Sequence, residues 1–346
     1  SASSPYGILR TPPSGSGPRV NAVACDPSLV DPTTHLCRYN GRVEQEVQPQ
    51  TERVNFFSRG TMEFSPSLTG YAELGLFNTI TKANGTLGGI SGDAVFSGDP
   101  FNPVIFHPVM ILPASHPDNT TGIDRTLSLA PNDLGGRDNK LDNLVGRFIA
   151  GLQGTAMGWD YDTAVGYIHS RLKDTRTGYV DWNAMQAAVT AGTYRLSGLG
   201  PSKTDPAVLA SFSYPLVTKP TSSVALIDFK ANRELMNLPG GPLGIAVGAE
   251  ARHEKSDSPD VPGTDNGTIV GLGFSQFKAS RSVDALFAEV NGPVAKSMEW
   301  NAAVRYDHYS DFGNSTTPKI GFKFKPFDQF ALRGTYSEAF RAPGPA

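Results

Sequence analysis

The chain has 346 residues, a formal net charge of -3 and 18% charged residues. This balance gives no support to a nucleic-acid-binding protein, and no run of about 18 apolar residues is present to make a membrane-spanning helix. The 37 glycines and 27 prolines suit an all-β chain with many turns and long loops.

The first fifty residues show little periodicity and contain both cysteines, Cys25 and Cys37. We predict that residues 1–50 form a loop in which these cysteines are bonded to each other in an oxidising compartment; two free thiols are the alternative. No Cys or His lies at zinc-ligand spacing, so no metal site is predicted. No signal peptide opens the chain, so we expect that a leader was removed or that the chain is a piece of a longer protein.

From residue 51 onward, side chains alternate between apolar and polar in paired stretches, which is typical of antiparallel strands. Long loops at 81–142, 171–218 and 256–280 alternate with tight turns, and this asymmetry is expected of an outer-membrane barrel. Asp181 is a plausible N-cap for a helix that continues to Thr190. The predicted strand pairs are 51–64 with 71–80, 144–152 with 159–169, 223–236 with 243–254, 283–290 with 298–309, and 319–325 with 330–337.

The last of these hairpins has two unlike faces. Its apolar set predicts a lipid-facing surface, and its polar set predicts a surface that faces the lumen. The apolar set is Phe322, Phe324, Phe330 and Leu332, and the polar set is Lys323, Arg333 and Thr335. Aromatic residues near strand ends predict an interfacial girdle, although aromatics also favour strands in general. These residues are Tyr71, Phe77, Trp159, Tyr161, Trp300, Tyr306, Tyr309 and Phe340.

After this hairpin the chain reads Phe340, Arg341, Ala342, Pro343. The hairpin with this ending resembles the mid-barrel hairpin of TonB-dependent outer-membrane receptors. Further segments are similar to the xanthomonad and caulobacter type of this family, and their order supports the match. They are 49–57 (PQTERVNFF), 99–103 (DPFNP), 151–154 (GLQG), 159–161 (WDY) and 238–252, which runs from LPGGPLG to GAEAR.

The resemblance implies a plugged barrel of about 22 strands that takes up a scarce nutrient with energy from the TonB-ExbB-ExbD complex. It places the protein in the outer membrane of a Gram-negative bacterium, in contact with lipid and lipopolysaccharide. The ligand would be a siderophore-bound iron, a glycan, cobalamin, a peptide or a similar molecule. The family pattern also has a plug before this region and strands after it. We therefore predict residues 51–346 to be a transmembrane segment of about ten strands that other strands complete.

Several aromatic and polar loop residues could stack on a ligand or hydrogen-bond to it; packing of the loops on one another is the alternative. They are Phe96, Asp99, Phe101, Asn102, Trp182, Tyr194 and Tyr214. No nucleophile elbow or phosphate-binding glycine loop is present, so neither an enzyme nor a cofactor is predicted. A passive porin and a secreted all-β binding domain are the alternative functions.

Overall fold

The computed structural model describes residues 4–11, 18–41, 46–91 and 109–344, together with the backbone of 95–96 and 105–106. Two α-helices are present in this part of the chain, α1 (Trp182–Thr190) and α2 (Pro206–Phe212). No helix of the described ranges is long and apolar enough to cross a membrane. The strands are β1 (Ile8–Arg10), β2 (Val20–Asn21), β3 (Gln50–Ser65), β4 (Leu68–Ala83), β5 (Val95–Phe96), β6 (Ile105–Phe106), β7 (Met110–Leu112), β8 (Arg125–Ser128), β9 (Asn139–Ala156), β10 (Trp159–Arg176), β11 (Leu216–Thr218), β12 (Thr221–Leu238), β13 (Gly241–Ser258), β14 (Phe277–Ala295), β15 (Met298–Tyr309), β16 (Gly313–Phe327) and β17 (Phe330–Ser337).

Ten long strands form one antiparallel sheet in the order β3-β4-β9-β10-β12-β13-β14-β15-β16-β17, and the short β11 pairs with β10. Each long strand therefore pairs with the long strands before and after it in the chain. This confirms the predicted antiparallel barrel segment and its number of strands. Within the described residues β3 and β17 do not pair with each other, so the sheet remains open at both edges.

The connections between long strands differ at the two ends of the sheet. At one end every hairpin turns through two residues, at 66–67, 157–158, 239–240, 296–297 and 328–329. Met157 and Gly158 both have positive φ, 51° and 77°, the backbone geometry that suits the twist of a two-residue hairpin. At the opposite end the connections are 84–138, 177–220, 259–276 and 310–312, so all long loops lie together, as the sequence predicted.

The strands extend beyond their predicted limits. The largest difference is β14, which was predicted over 283–290 and runs from Phe277 to Ala295. At the apolar-face positions its first residues, Lys278, Ser280 and Ser282, are polar, and a register shift lies between Gly292 and Ala295, so neither end continues the apolar alternation that identified the strand. Hydrogen bonding to β13 and β15 continues where the apolar pattern does not.

The helical prediction is confirmed for α1, because the Asp181 carboxylate accepts a hydrogen bond from the Ala184 amide at 3.1 Å. The second helix was not predicted. Asp205 caps it in the same way, accepting from the Ala207 amide at 2.7 Å, and Pro206 occupies its first turn. A capping Asp followed by Pro is a recognisable helix start, but the seven-residue helix is too short to show a clear apolar period.

The buried hydrophobic cluster of the protein lies in the loops. The N-terminal segment contributes β1 and β2, which join β8 and β7 in a four-stranded sheet. Helices α1 and α2 pack beside this sheet, and the 259–276 loop closes the assembly through the bridge of Ile269 to Asp181. We call this unit the loop assembly. Its core residues are Leu9, Ile90, Met110, Leu112, Leu127, Leu129, Val180, Met185, Val189, Tyr194, Leu196, Phe212 and Val270.

The two cysteines lie at the N-terminal side of this assembly. The structure joins Cys25 to Cys37 by a disulfide, with a Cα to Cα distance of 6.0 Å. The Cys37 amide also donates to Asn21 Oδ1 at 2.9 Å. The bond therefore closes the turn that follows β2 and holds it against the loop assembly.

Candidate functional site

The long sheet has an apolar face and a polar face, fixed by its register. In the last hairpin Phe324 lies opposite Leu332, and Lys323 lies opposite Arg333, so the predicted apolar and polar sets do lie on different faces. On the apolar face large side chains are exposed throughout the sheet: Leu286 is 61% exposed and Leu332 is 50% exposed. An apolar hollow of about 630 Å³ between β3, β4, β9 and β10 also belongs to this face.

The predicted aromatic girdle is wrong for four of its residues. Tyr71, Phe77 and Tyr309 lie on the polar face: Tyr71 and Phe77 share the parity of Glu73, and the ring of Tyr309 lies under Arg281 at 5.6 Å. A polar-face partner accounts for the position of Tyr71, because its hydroxyl donates to Asp162 at 3.1 Å. Phe340, which follows the last strand, also lies on the polar side, because its ring centre is 6.0 Å from that of Tyr309. Trp159, Tyr161, Trp300 and Tyr306 have the parity of the apolar face.

A first cluster of charges occupies the polar face across β3, β4 and β9. Glu73 accepts from Arg59 at 3.0 Å and from Arg147 at 2.8 Å, and only 11% of its side chain is exposed. The guanidinium of Arg59 also lies 4.7 Å from the centre of the Tyr71 ring. Two guanidinium groups thus compensate one shielded carboxylate and hold three adjacent strands in register.

A second cluster crosses β13, β14 and β15. Glu250 and Glu254 both pair with Arg252, Glu254 also accepts two hydrogen bonds from Arg281, and Arg305 contacts Glu250. Arg281 is the most enclosed of these groups, with 10% of its side chain exposed. Charges in this cluster are mutually compensated, which suits a wall that faces other protein or confined water.

Arg281 also binds the segment that carries the Phe-Arg-Ala-Pro motif. Its Nη1 donates to the carbonyl oxygen of Pro343 at 2.9 Å. Because β17 ends at Ser337 and Arg281 belongs to β14, the intervening residues must cross the polar face over β16 and β15. Phe340 stacks on Phe312 with ring centres 5.3 Å apart. The motif is therefore a strap across the polar face, anchored at its end by Arg281.

At the long-loop end of the sheet, a hollow of about 680 Å³ opens on the polar face. We call it the mouth hollow. Its surface combines apolar side chains, such as Leu141, Leu172 and Phe277, with hydrogen-bonding groups. Ser170, for example, donates to Asn143 at 2.9 Å. The polar-face residues that line it include Arg53, Thr79, Thr81, Asn143, Ser170, Ser222, Ser256 and Phe277.

Three of the predicted ligand-binding residues lie in or near the loop assembly. Tyr194 is 2% exposed and its ring meets Phe212 edge-on at 5.6 Å, so its position corresponds to the packing alternative. Trp182 packs against the same core. Tyr214 is 39% exposed; burial of the remainder and the charge of Asp181 raise the pKa of its hydroxyl.

The described part of the structure does not include the side chains of the other four predicted ligand-binding residues. Asp99, Phe101 and Asn102 lie outside the described residues, and Phe96 is described only in its backbone, where it pairs with Ile105 in β5 and β6. The mouth hollow was missed by the sequence analysis. The signal that could have found it is a series of Ser, Thr and Asn with polar-face parity where strands meet the long loops, such as Asn143 and Ser170.

The loop assembly contains a buried polar centre. Asp118 accepts from Arg195 at 2.7 Å and 3.0 Å and from the Leu196 amide at 2.9 Å. Burial alone would raise the pKa of Asp118, but these hydrogen bonds and the charge of Arg195 outweigh it and hold the pKa below its ordinary value. His116 lies beside it with Nε2 2.9 Å from the Tyr194 carbonyl oxygen. No group of His, Cys, Asp and Glu suited to a metal ion occurs among the described residues.

Comparison with known proteins identifies the family of this chain. The model of the TonB dependent receptor-like β-barrel family matches residues 83–346. A chain with two unlike sheet faces, two-residue turns at one end and long loops at the other has the features expected of such a barrel. The chain belongs to this family. No curated protein matches the sequence significantly.

Solved structures with similar folds include two receptors and one transporter. The siderophore receptor PirA from Acinetobacter baumannii is 14% identical, with a TM-score of 0.48, over 85% of this chain and 34% of its own. A mutant of the ferric enterobactin receptor PfeA from Pseudomonas aeruginosa is 15% identical, with a TM-score of 0.49, over 88% and 36%. The RagAB peptide transporter is 12% identical, with a TM-score of 0.50, over 84% and 33%. The chain spans about a third of the length of these proteins, and at such identities the likeness concerns the fold alone.

Proposed function

We propose that this chain is part of the wall and loops of an outer-membrane TonB-dependent transporter that takes up a scarce nutrient. The observation that carries the proposal is the combination of one continuous sheet, exposed apolar side chains on one face and paired charges on the other. An exposed apolar face of this extent would be a liability in water but is what a bilayer requires. The polar face then borders the lumen, and residues 1–50 and the longer loops lie outside the cell.

The proposed mechanism is ligand capture at the loops followed by passage through the lumen, with no covalent step and no cofactor. The mouth hollow, with Asn143 and Ser170, is the proposed entry for the ligand. Tyr214, exposed on the loops, is a proposed contact, as are the sequence-predicted Phe96, Asp99, Phe101 and Asn102. Energy would come from the TonB-ExbB-ExbD complex acting on a plug.

We propose the ligand class from family membership and from the hydrogen-bonding groups that the mouth hollow offers, such as Asn143 and Ser170. A siderophore-bound iron, a glycan, cobalamin or a peptide all present the polar groups that such a surface can bind. PirA and PfeA are receptors for siderophores and RagAB transports peptides, so these two ligand classes are the first to test.

Uptake measurements can test the proposal with the complete gene that contains this sequence. We expect a strain carrying the gene to accumulate one labelled nutrient from submicromolar solution. Deletion of the gene, deletion of tonB or addition of a protonophore should each abolish that accumulation. The panel would contain ferric siderophores, cobalamin, oligopeptides and oligosaccharides.

The passive porin makes a different prediction in the same experiment. A porin would admit the nutrient in proportion to its outside concentration, without saturation, and would be indifferent to tonB. A secreted binding domain would fractionate with the soluble proteins and would not change uptake. Either result would overturn the transporter proposal.

A further inference from the structure

The strap that carries the Phe-Arg-Ala-Pro motif is held mainly at its two ends. At its start the Glu338 amide donates to the carbonyl oxygen of Pro318 at 3.0 Å, and at its end the Pro343 carbonyl oxygen accepts from Arg281 at 2.9 Å. Between these points, residues 339–342 form no hydrogen bond or ion pair within the part of the chain that the structure describes. The backbone of the strap therefore depends on its end contacts.

Ring contacts hold the middle of the strap only in part. The Phe340 ring has its centre 5.3 Å from that of Phe312 and 6.0 Å from that of Tyr309, yet 44% of Phe340 remains exposed. Tyr309 beneath it is 8% exposed. Because a half-exposed ring gains much less from burial than a sealed one, this contact can break without loss of a hydrophobic core.

The anchor of the strap is, by contrast, fixed to the sheet. Arg281 donates two hydrogen bonds to Glu254, at 2.8 Å and 3.0 Å, and its guanidinium lies over the Tyr309 ring. Only 10% of the Arg281 side chain is exposed. None of these contacts involves the strap, so Arg281 keeps its position whether or not Pro343 is bound.

Arg281 also has a second acceptor close by. Its Nη1 atom, which donates to Pro343, lies 3.7 Å from Asp311 Oδ2. The turn that carries Asp311 is fixed to β14, because the Ser310 amide donates to the Ser282 carbonyl oxygen at 3.0 Å and the Ser282 amide donates to Ser310 Oγ at 2.9 Å. Loss of the Pro343 carbonyl would therefore leave Nη1 beside a carboxylate, which avoids the cost of an unpaired enclosed donor.

The strap lies between the mouth hollow and the centre of the polar face. Phe277 of the hollow and Arg281 are on the same face of β14, about 13 Å apart along the strand. Ser256 of the hollow and Glu254 share the same face of β13. Arg281 is farther from the long-loop end of β14 than Phe277, so a ligand that leaves the hollow along this strand reaches the strap.

We propose that the strap is a gate in the lumen, with two positions that exchange at Arg281. In the closed position, which the structure contains, Nη1 donates to Pro343 and Phe340 covers Tyr309. In the open position Nη1 pairs with Asp311 and the strap leaves the polar face. The proposal rests on the proposed function, which makes the polar face the wall of the lumen. Exchange of one donor between two acceptors is a small local change that can bias a larger movement.

The test fixes the strap in the closed position in the full-length protein. Cysteines replace two rings that touch, Phe312→Cys and Phe340→Cys, and a short bifunctional thiol reagent joins them. The two native cysteines are bonded to each other and do not react. The control pair, His308→Cys and Asn314→Cys, lies opposite on β15 and β16 and joins two strands of the wall without touching the strap. Each protein is compared before and after bridging.

We expect the protein with the bridged strap to bind the labelled nutrient as the unbridged protein does and to take it up about tenfold more slowly, because the gate cannot open. Binding is measured in a tonB-deletion strain and uptake in the parent strain. The bridged control should keep both. Equal uptake by the two bridged proteins would overturn the gate. Loss of binding together with uptake would also overturn it, because the strap would then belong to the binding site.

A second variant tests the exchange at Arg281. Asp311→Ala removes the acceptor of the open position, so uptake should fall about two- to fivefold, the range that a partly exposed ion pair supports, while binding is unchanged. Asp328→Ala, which removes an exposed carboxylate at the opposite end of the sheet, is the control and should have no effect. Unchanged or faster uptake by the Asp311→Ala protein would contradict the proposed exchange.

Failure of the gate can be told apart from failure of the proposed function. If the strap does not gate the lumen, uptake remains dependent on tonB and is the same with the bridged strap and the bridged control. If the protein is not a transporter, the unbridged proteins take up none of the nutrients in the panel, and deletion of tonB changes nothing.

Discussion

The loop assembly and the long sheet place their apolar side chains in opposite environments. In the loop assembly, Leu112, Met185 and Phe212 are fully buried, at 0% exposure, as in the core of a water-soluble protein. In the sheet, residues of the same kind such as Leu286 and Ile320 are 61% and 58% exposed. One chain thus contains a unit stabilised by its own hydrophobic core and a unit whose apolar surface requires a different solvent.

Because the loop assembly has its own core, we expect a cavity in that core to destabilise the loops without destabilising the sheet. Phe212→Ala should destabilise the loop assembly by about 3–5 kcal/mol, because the site is sealed and cannot collapse freely. Hydrogen exchange of the full-length protein in detergent should show lost protection of the amides in α1 and α2. The strands should keep their protection.

The matched control is Phe322→Ala, the same chemical change at a residue that is 45% exposed on the apolar face. We expect the exchange of α1 and α2 to be unchanged in this variant. If Phe212→Ala and Phe322→Ala altered the same set of amides, the loops and the sheet would form one cooperative unit, and the contrast between them would fail.

The second prediction concerns the opposite defect, damage to the sheet that spares the loops. Leu332→Arg places a charge on the apolar face and should cost about 2–4 kcal/mol if that residue lies near the middle of the membrane. Thr335→Arg places the same charge on the polar face of the same strand and should be tolerated. Heat-modifiable migration on gels and the yield in the outer-membrane fraction measure assembly; equal yields of the two variants would contradict the assignment of faces.

The sequence analysis predicted the sheet better than it predicted the loop assembly. Strands alternate because their two faces meet different surroundings, so hairpins, faces and the position of the long loops could be predicted from the side chains alone. Tyr71 and Tyr309 were misplaced because an aromatic residue suits either face, and only the partners Asp162 and Arg281 decide between them.

The loop assembly and the mouth hollow could not be predicted in this way. The core combines residues as distant as Leu9 and Val270, brought together by loops without any periodic pattern. Tyr194 illustrates the difficulty: an isolated loop tyrosine is equally compatible with ligand binding and with packing until its neighbours are known. The mouth hollow is lined by residues of several strands. Its lining can therefore be identified only when the register of all these strands is known.

The third prediction concerns the disulfide. Bonding Cys25 to Cys37 closes a loop of 12 residues in sequence separation, which in the chain-entropy model stabilises that loop by at most about 3 kcal/mol. Both cysteines should resist alkylation until the protein is reduced. Cys25→Ala combined with Cys37→Ala should raise proteolysis between residues 18 and 41 and leave the protection of α1 unchanged; alkylation of both thiols without reduction would refute the bond.

The smallest predicted effect concerns two carboxylates of the loop assembly whose pKa values are shifted in opposite directions. The pKa of Asp118 is held below its ordinary value, so its stabilising contribution is present above about pH 4, the unfolded value, and is lost as the pH falls through the lower folded value. Asp118→Asn should therefore cost about 1–2 kcal/mol at neutral pH and make the loop assembly less sensitive to acid.

The pKa of Asp133 is shifted in the opposite direction. Burial raises its pKa, although hydrogen bonds from Ser202 and from Tyr194 oppose this. A raised pKa means that the protonated form is favoured by folding, so the associated stability is present below the unfolded pKa and is lost as the pH rises through the folded one. Asp133→Asn should therefore match or slightly exceed the wild type at neutral pH, where Asp118→Asn is weaker. Exchange of α1 amides at pH 4 and pH 7 measures both, and a loss of the same size in both variants at pH 7 would contradict the assignment. Amide exchange in the sheet should be unchanged in both variants, because both carboxylates belong to the loop assembly, which is stabilised by its own core.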